Sequence, residues 1–152
     1  MTSAYFLCGL PGSGKTTRAR ELVREHDAVV FSEDVWIRDL YDPPAIHDDA
    51  ARDRVKAVQL EIALDLLRRG IDVVFDWGVW ARSERDHYRA VVAETSAEFV
   101  LIYLNVPLEE LQRRVAARNV ELPPDTFHIE PEQLAEWATW FEPPTADEHP
   151  LS

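Results

Sequence analysis

Short apolar runs alternate with longer amphipathic segments along the chain. Four short runs that are apolar except for Asp72, at residues 4–8, 28–31, 71–75 and 99–104, are typical of strands buried on both faces of a sheet. Helical patterns fill the intervals, at residues 15–26, 33–40, 48–69 and 83–94, and two more begin at Pro107 and Pro131. Breaks are predicted at 42–44, 123–124 and 143–144. The alternation predicts a single α/β domain whose parallel sheet is covered by helices on both sides.

Composition agrees with one globular domain. The 152 residues are 46% hydrophobic and 29% charged, with a formal net charge of −12. Such acidity argues against a broad basic face for nucleic acid, although it permits a small basic pocket. The lone Cys8 cannot form an internal disulfide, and the apolar runs are far shorter than the ~20 residues of a membrane span. We therefore expect a cytoplasmic protein with no membrane segment.

The segment after the first predicted strand matches the phosphate-binding motif G-x-x-x-x-G-K-[ST] at every fixed position. Glycines allow backbone amides to surround phosphate oxygens, and the following helix N-terminus adds positive potential. Lys15 can reach the β- and γ-phosphates, and the Thr16 hydroxyl can bind Mg²⁺. The nucleotide-binding residues expected here are Gly9, Leu10, Pro11, Gly12, Ser13, Gly14, Lys15, Thr16 and Thr17. The alternative is a glycine-rich turn without a ligand.

Two aspartates follow predicted strands, at the sheet edge where ligands of such folds bind. Asp34, after the second strand, can accept the proton of an attacking hydroxyl, and Arg38 lies four residues further on. The alternative makes Asp34 a helix cap and Arg38 its surface partner. Asp76 ends the third strand as a Walker-B-like carboxylate, which predicts a metal ligand beside Thr16; it could also be a turn residue.

Arginines and tryptophans supply further candidates. Arg114 and Arg118 share one helix face and could fold over a triphosphate as an arginine finger does, or form a solvated basic face. Trp77 and Trp80 could line an acceptor pocket or cap the core. Trp137 and Trp140, three residues apart on the last helix, are predicted to be core.

These motifs together resemble the small P-loop kinases grouped with polynucleotide kinase, zeta toxin and chloramphenicol phosphotransferase, and most closely the AAA_33-type proteins. The resemblance covers roughly residues 4–148. The stretches that carry it are Gly9–Thr16, Ser32–Arg38, Phe75–Gly78 with Arg82 and Arg85, Arg114–Asn119, and Phe141–Pro144 with Glu148.

The resemblance implies a three-layer P-loop NTPase fold with strand order 2-3-1-4 and a small helical lid at about 112–130. A short fifth strand is left open, and residues 145–152 are expected to form a loose tail. It also implies that Asp34 is the general base, that Arg38 contacts the acceptor, that Asp76 lies near the metal, and that Arg114 and Arg118 form a lid pair. Trp77 and Arg82 are the other expected acceptor-binding residues, while Arg85 receives no role.

The function expected from motif and resemblance is ATP-dependent transfer of a γ-phosphate to a hydroxyl of a small molecule or nucleotide. Lys15 and Mg²⁺ would neutralise the triphosphate, Asp34 would take the proton, and Arg118 would stabilise the transferred charge. Two alternatives stay open: a polynucleotide 5′-hydroxyl kinase, and a nucleotide-binding or nucleotide-hydrolysing switch without an acceptor. The identity of the acceptor, the choice between ATP and GTP, and the oligomeric state also stay open.

Overall fold

The fold is built on a four-stranded parallel sheet. The structure, a computed structural model, describes residues 1–41, 47–123 and 127–152. The strands are β1 (Ser3–Cys8), β2 (Val29–Ser32), β3 (Val73–Gly78) and β4 (Glu98–Tyr103). Their spatial order is β2-β3-β1-β4, and every pairing is parallel. This confirms the predicted fold class and the strand order 2-3-1-4.

Six α-helices connect and cover the strands in the described part of the chain. They are α1 (Lys15–His26), α2 (Glu33–Leu40), α3 (Asp49–Arg68), α4 (Arg82–Ala93), α5 (Leu108–Val120) and α6 (Pro131–Trp140). Local signals set several of their ends. The Ser32 side chain accepts the amide of Val35 at the start of α2, and Gly70, at φ 83°, follows the end of α3. No helix of the described residues is long and apolar enough to cross a membrane.

Helices pack on both faces of the sheet, because alternate side chains of β1 point in opposite directions. Phe6 packs on one face with Phe75 and with residues of α3 and α4, among them Ala63 and Tyr88. The opposite face carries a second cluster, which consists of Tyr5, Leu7, Ala19, Leu22, Ala28, Val74 and Ile102. The result is three layers with the carboxyl ends of all four strands at one edge.

The lid predicted at about 112–130 covers most of α5 and the residues that lead to α6, of which 124–126 lie outside the described residues. These helices pack through Leu111, Val115 and Leu134 against Leu10 of the phosphate-binding segment. Asn119 of α5 binds the backbone just before α6. Its side-chain NH₂ donates a hydrogen bond to the carbonyl of Ile129, and its side-chain oxygen accepts one from the amide of Ile129. The breaks predicted at 42–44 and at Pro124 lie outside the described residues.

The expectation of a loose tail after Thr145 is wrong. Residues Ala146–Glu148 form a short 3₁₀ helix, and Glu148 is buried. Leu151 then makes one parallel bridge to Ile102 on the outer edge of β4. Its carbonyl accepts the amide of Tyr103 at 2.7 Å, and its amide donates to Leu101 at 2.8 Å. The sequence left open whether a short fifth strand forms. In the described residues the sheet has four strands, and this single bridge is the pairing at the outer edge of β4.

Candidate active site

The phosphate-binding segment forms a tight loop between β1 and α1. Gly12 and Gly14 have φ of 86° and 96°, a region that side chains disfavour. At Gly9 a Cβ atom would lie 2.6 Å from Ser13 Oγ, so a side chain at this position would force Ser13 to move. No side chain caps the N-terminus of α1, which begins after Gly14. The first amides of α1 are therefore available to an anion.

Two polar side chains of this loop fit a bound phosphate. Ser13 Oγ is buried and has no hydrogen-bond partner within the described residues. Lys15 Nζ donates to the carbonyl of Leu10 at 3.3 Å, across the mouth of the loop. A buried hydroxyl without a partner is unfavourable, and a phosphate oxygen beside it would remove that cost. The loop thus has the shape and the donors for a polyphosphate.

A hydroxyl and a carboxylate meet beside the loop. Thr16 Oγ1, in the first turn of α1, donates to Asp76 Oδ2 on β3 at 3.3 Å. Hard oxygen donors of this kind are what Mg²⁺ prefers, and Mg²⁺ usually keeps several waters besides one or two protein ligands. Groups of three or more metal-ligating side chains do not occur in the residues that the structure describes. The pair therefore fits Mg²⁺ better than a metal that needs a full protein cage.

Asp34 faces the same edge from the first turn of α2, with its side chain 50% exposed. Its Oδ1 accepts a hydrogen bond from Arg52 Nη2 at 2.9 Å. The cap of α2 is Ser32, so the interpretation of Asp34 as the capping residue is wrong. The paired arginine comes from α3, whereas Arg38 donates to its neighbour Asp39 at 2.8 Å.

Sequence reasoning missed the residues of α3 and α4 that surround Asp34. Arg52 also lies 3.4 Å from Glu33 Oε1, and Lys56 Nζ lies 2.5 Å from Glu84 Oε1. Burial raises the pKa of Glu33 to about 7, although Lys56 and Arg52 oppose that rise. Burial lowers the pKa of Lys56, but Glu33 and Glu84 outweigh it and the net shift is upward. The one available signal was the i, i+4 spacing of Arg52 and Lys56 on α3.

The two tryptophans after Asp76 have different surroundings. Trp77 is buried against Phe75, and its Nε1 donates to Gln59 Oε1 at 2.8 Å. It belongs to the core, yet its edge also lines the cavity. Trp80 is half-buried, and its Nε1 donates to the carbonyl of Gly9 at 3.1 Å. The indole of Trp80 therefore contacts the phosphate-binding loop itself.

The lid helices approach the loop from the other side. Arg114 donates to the carbonyl of Gly12 at 3.2 Å and to Glu110 at 3.0 Å, and Arg118 lines the cavity. The prediction that Trp137 and Trp140 are core is wrong for Trp140, which is 57% exposed at the cavity wall. Trp137 packs partly against the cluster between α5 and α6.

Two arginines of α4 contact the C-terminal segment and do not face the candidate site. Arg82 donates to Asp86, to Thr145 and, at 2.8 Å, to Asp147. Arg85 is buried against Glu148. Neither arginine lines the cavity, and Arg38 does not line it either. The structure thus does not bring Arg38 or Arg82 to the candidate site.

A cavity of about 1590 Å³ joins most of the remaining predicted residues, whereas Gly9, Leu10 and Ser13 of the loop do not line it. Its lining includes Pro11, Gly12, Gly14, Lys15, Thr16, Thr17, Asp34, Asp76, Trp77, Arg114 and Arg118. The parts therefore converge on one space, with the phosphate-binding loop on one side and the α2–α3–α4 wall on the other.

Sheet order and loop together define a P-loop NTPase fold. The chain belongs to the AAA_33 family, described as an AAA domain, whose profile matches residues 5–144. This is a P-loop kinase-like family. No curated protein sequence matches the chain.

Solved structures share the fold at low sequence identity. Kti12 from Chaetomium thermophilum, in complex with ADP-AlF3, superposes with a TM-score of 0.72 at 19% identity, over 95% of this chain and 82% of that chain. A chain of the Pnkp1/Rnl/Hen1 RNA repair complex gives 0.71 at 23%, over 91% and 43%. A gluconokinase from Sinorhizobium meliloti 1021 gives 0.65 at 18%, over 98% and 80%. At these identities the likeness extends to the fold.

Proposed function

We propose that the protein transfers the γ-phosphate of ATP to a hydroxyl group of a small molecule or nucleotide. The observation that carries this proposal is the convergence of Lys15, the Thr16–Asp76 pair and Asp34 on one cavity. A nucleotide switch needs the first two elements, whereas a carboxylate across the cavity from the loop is what a hydroxyl acceptor requires. Similarity to a gluconokinase agrees with this proposal.

Nucleotide binding would use the loop and the lid. The amides of residues 12–17 would surround the polyphosphate, Lys15 would leave Leu10 for the β- and γ-phosphates, and Ser13 would gain a partner. Arg114 and Arg118 reach the cavity from α5, where their positive charge would offset the charge that develops on the transferred group. Most of the catalysis would then come from positioning and electrostatics.

Thr16 and Asp76 are the residues that would hold Mg²⁺. When bound, this ion would neutralise phosphate charge and orient the triphosphate. The side chains of Thr16 and Asp76 already lie side by side, so little rearrangement would be needed for them to hold the ion.

Asp34 would act as the general base and accept the proton of the acceptor hydroxyl as the oxygen attacks phosphorus. Arg52 would orient the carboxylate through the 2.9 Å contact. The edge of Trp77, together with Lys56 and Glu84, would form part of the acceptor wall. Arg38 and Arg82 are left out of this proposal because neither lines the cavity.

Charge on the acceptor wall favours a small acceptor over a polyanion. Two cations, Arg52 and Lys56, line this wall. The wall also carries five acidic side chains from α2, α3 and the start of α4, namely Glu33, Asp34, Asp49, Asp53 and Glu84. A nucleic-acid strand would meet this wall and a chain with net charge −12. We therefore favour a small hydroxyl compound over a polynucleotide 5′-end as acceptor.

The test measures ATP consumption against a library of hydroxyl compounds. Wild type should show turnover that depends on a particular acceptor, and Asp34→Asn should lower kcat at least about a hundredfold because it removes the base. Asp65→Asn, on the exposed side of α3, is the matched control and should behave as wild type. Full phosphoryl transfer by Asp34→Asn would show that the base assignment is wrong.

A second candidate is nucleotide hydrolysis without an organic acceptor. Two observations favour it: Asp34 is half exposed to solvent, so water can occupy the acceptor position, and Kti12 shares the fold and binds ADP-AlF3. In that case phosphate release would proceed at the same rate with and without every library compound. Stimulation by one compound, with the phosphate recovered on that compound, decides for transfer.

A further inference from the structure

A buried ion pair ties the C-terminal segment to α4. Glu148 Oε1 lies 2.7 Å from Arg85 Nε, and Oε2 lies 3.1 Å from Arg85 Nη2, so the ion pair is bidentate. The side chains of Arg85 and Glu148 are 1% and 0% exposed. The Glu148 carboxylate also accepts the amide of Thr145, which fixes the 3₁₀ helix. Both charges are therefore held in a single arrangement.

The remaining Nη1 of Arg85 holds the turn that follows β3. It donates to the carbonyls of Val79 and Trp80, each at 2.9 Å. Val79 has φ 38°, a conformation that a β-branched residue adopts only when its surroundings impose it. Gly78, before it, has φ 84°. Arg85 thus stabilises a strained turn through the two carbonyls at its end.

This turn holds the first residue of the phosphate-binding loop. Gly9 donates its amide to the carbonyl of Gly78 at 3.1 Å, and its carbonyl accepts Trp80 Nε1 at 3.1 Å. Both backbone groups of Gly9 are therefore bonded to residues 78–80. The contacts run without a gap from Glu148 through Arg85 and the turn to Gly9.

Stability alone is a poor explanation for such a pair. A buried ion pair loses much of its attraction to desolvation, and an apolar pair of equal volume is often as stable. An arginine fork, however, fixes several acceptors in one plane, which a methyl group cannot do. Here the fork joins one carboxylate to two carbonyls of a strained turn.

We infer that Arg85 and Glu148 are positioning residues that set the geometry of the phosphate-binding loop through the turn at 78–80. Neither residue lines the cavity, so they act on nucleotide affinity only through that turn. The inference rests on the proposed function in one respect, namely that the loop binds a nucleotide. It adds that the C-terminal segment, far from the loop in sequence, helps to position the nucleotide site from outside the cavity.

The experiment compares two adjacent acids of the 3₁₀ helix. Glu148→Gln removes the buried charge, whereas Asp147→Asn removes an exposed partner of Arg82 that does not reach the turn. The dissociation constant of magnesium ADP is measured by calorimetry, and urea unfolding is measured on the same samples. We expect Glu148→Gln to weaken binding about tenfold or more and Asp147→Asn to change it less than about twofold.

A second variant keeps the test decisive if Glu148→Gln does not fold. Arg85→Lys retains a positive charge opposite Glu148, but an ammonium cannot bond the carboxylate in two prongs and hold both carbonyls as well. It should weaken magnesium ADP binding to a similar degree. Trp80→Phe removes the indole donor to Gly9 and should also weaken magnesium ADP binding. In the double variant Trp80→Phe/Glu148→Gln, the loss of affinity should be less than the product of the two single losses, because both residues act on Gly9.

Each outcome decides. If either folded variant binds magnesium ADP as wild type does, whatever its unfolding stability, the pair does not position the loop and the inference is wrong. If the single effects of Trp80→Phe and Glu148→Gln multiply, the route through the turn is wrong. If wild type itself does not bind magnesium ADP, the proposed function fails, and the inference fails with it.

Discussion

The guanidinium of Arg52 lies 2.9 Å from the carboxylate of Asp34. The same side chain lies 3.4 Å from Glu33, so one cation from α3 holds both acids at the start of α2. Helices α2 and α3 are thereby joined at the point where the acceptor would approach the loop. The position of the proposed base consequently depends on α3.

Replacement of Arg52 should impair the transfer step more than nucleotide binding. Without its partner, the Asp34 carboxylate can rotate away from the acceptor, and we expect Arg52→Gln to lower kcat about tenfold or more. The KM for ATP should stay close to that of wild type, because Arg52 is on the acceptor wall. Steady-state kinetics with the acceptor found in the library measures both. Arg54→Gln, exposed on the same helix, is the control; equal losses in the two variants would contradict the assignment.

Glu33 should make the stability of the protein depend on pH. Its pKa is raised from 4.5 to about 7 in the folded state, mainly by burial, so the folded protein binds this proton more tightly than the unfolded chain. The resulting stabilisation is present below pH 4.5 and is lost as the pH rises to 7. It amounts to something on the order of 3 kcal/mol.

Urea unfolding of wild type and Glu33→Gln over this pH range measures the effect. The free energy of unfolding of wild type should fall more steeply with rising pH than that of Glu33→Gln. The exposed Glu61→Gln is the matched control and should follow wild type. Parallel curves for wild type and Glu33→Gln would show that Glu33 titrates as an ordinary carboxyl group.

Gln59 should be critical for stability despite its polar side chain. It is fully buried, where it donates to the carbonyl of Ser32 at 3.0 Å and accepts Trp77 Nε1 at 2.8 Å. Gln59→Leu removes the partner of the buried Trp77 Nε1 and of the partly buried Ser32 carbonyl, so the free energy of unfolding should fall by about 2–4 kcal/mol. Trp77→Phe removes the indole donor. In a double-mutant cycle of Gln59→Leu and Trp77→Phe, the double variant should lose less unfolding free energy than the sum of the two single losses. A neutral Gln59→Leu would mean that water satisfies both groups.

Arg82 should have no part in acceptor binding, contrary to the expectation from the sequence. Its donors are directed to Asp86, Thr145 and Asp147, outside the cavity. Arg82→Ala should leave kcat and the acceptor KM unchanged and lower the melting temperature slightly, since one tie to the C-terminal segment is lost. Kinetics and thermal unfolding check this together. An increased acceptor KM at unchanged stability would restore the original assignment.

Much of the fold follows from local signals. The apolar runs predicted all four strands, and the pattern from Glu33 to Leu40 matches α2 at both ends. Local chemistry also indicated the loop, because a glycine motif between a buried strand and a helix admits few conformations. The strand order came from the resemblance to a family, since periodicity alone does not say which strands are neighbours.

Long-range pairings could not be predicted in the same way. Asp34 pairs with Arg52, eighteen positions away, in preference to Arg38 on its own helix. Arg85 pairs with Glu148 across 63 positions, which buries Glu148 and holds a tail of otherwise mostly exposed residues against α4. Helical spacing ranks neighbours within one element, but packing between elements decides which charges meet. Trp140 likewise follows the helical pattern yet lies at the cavity wall.

The bridge made by Leu151 has a consequence for how molecules of this protein meet each other. A sheet edge with open amides and carbonyls is a template for strands from neighbouring chains. On β4, the amide of Tyr103 and the carbonyl of Leu101 are already taken by Leu151. An incoming strand would first have to displace the C-terminal residues at this position, so the bridge blocks strand pairing at this end of β4.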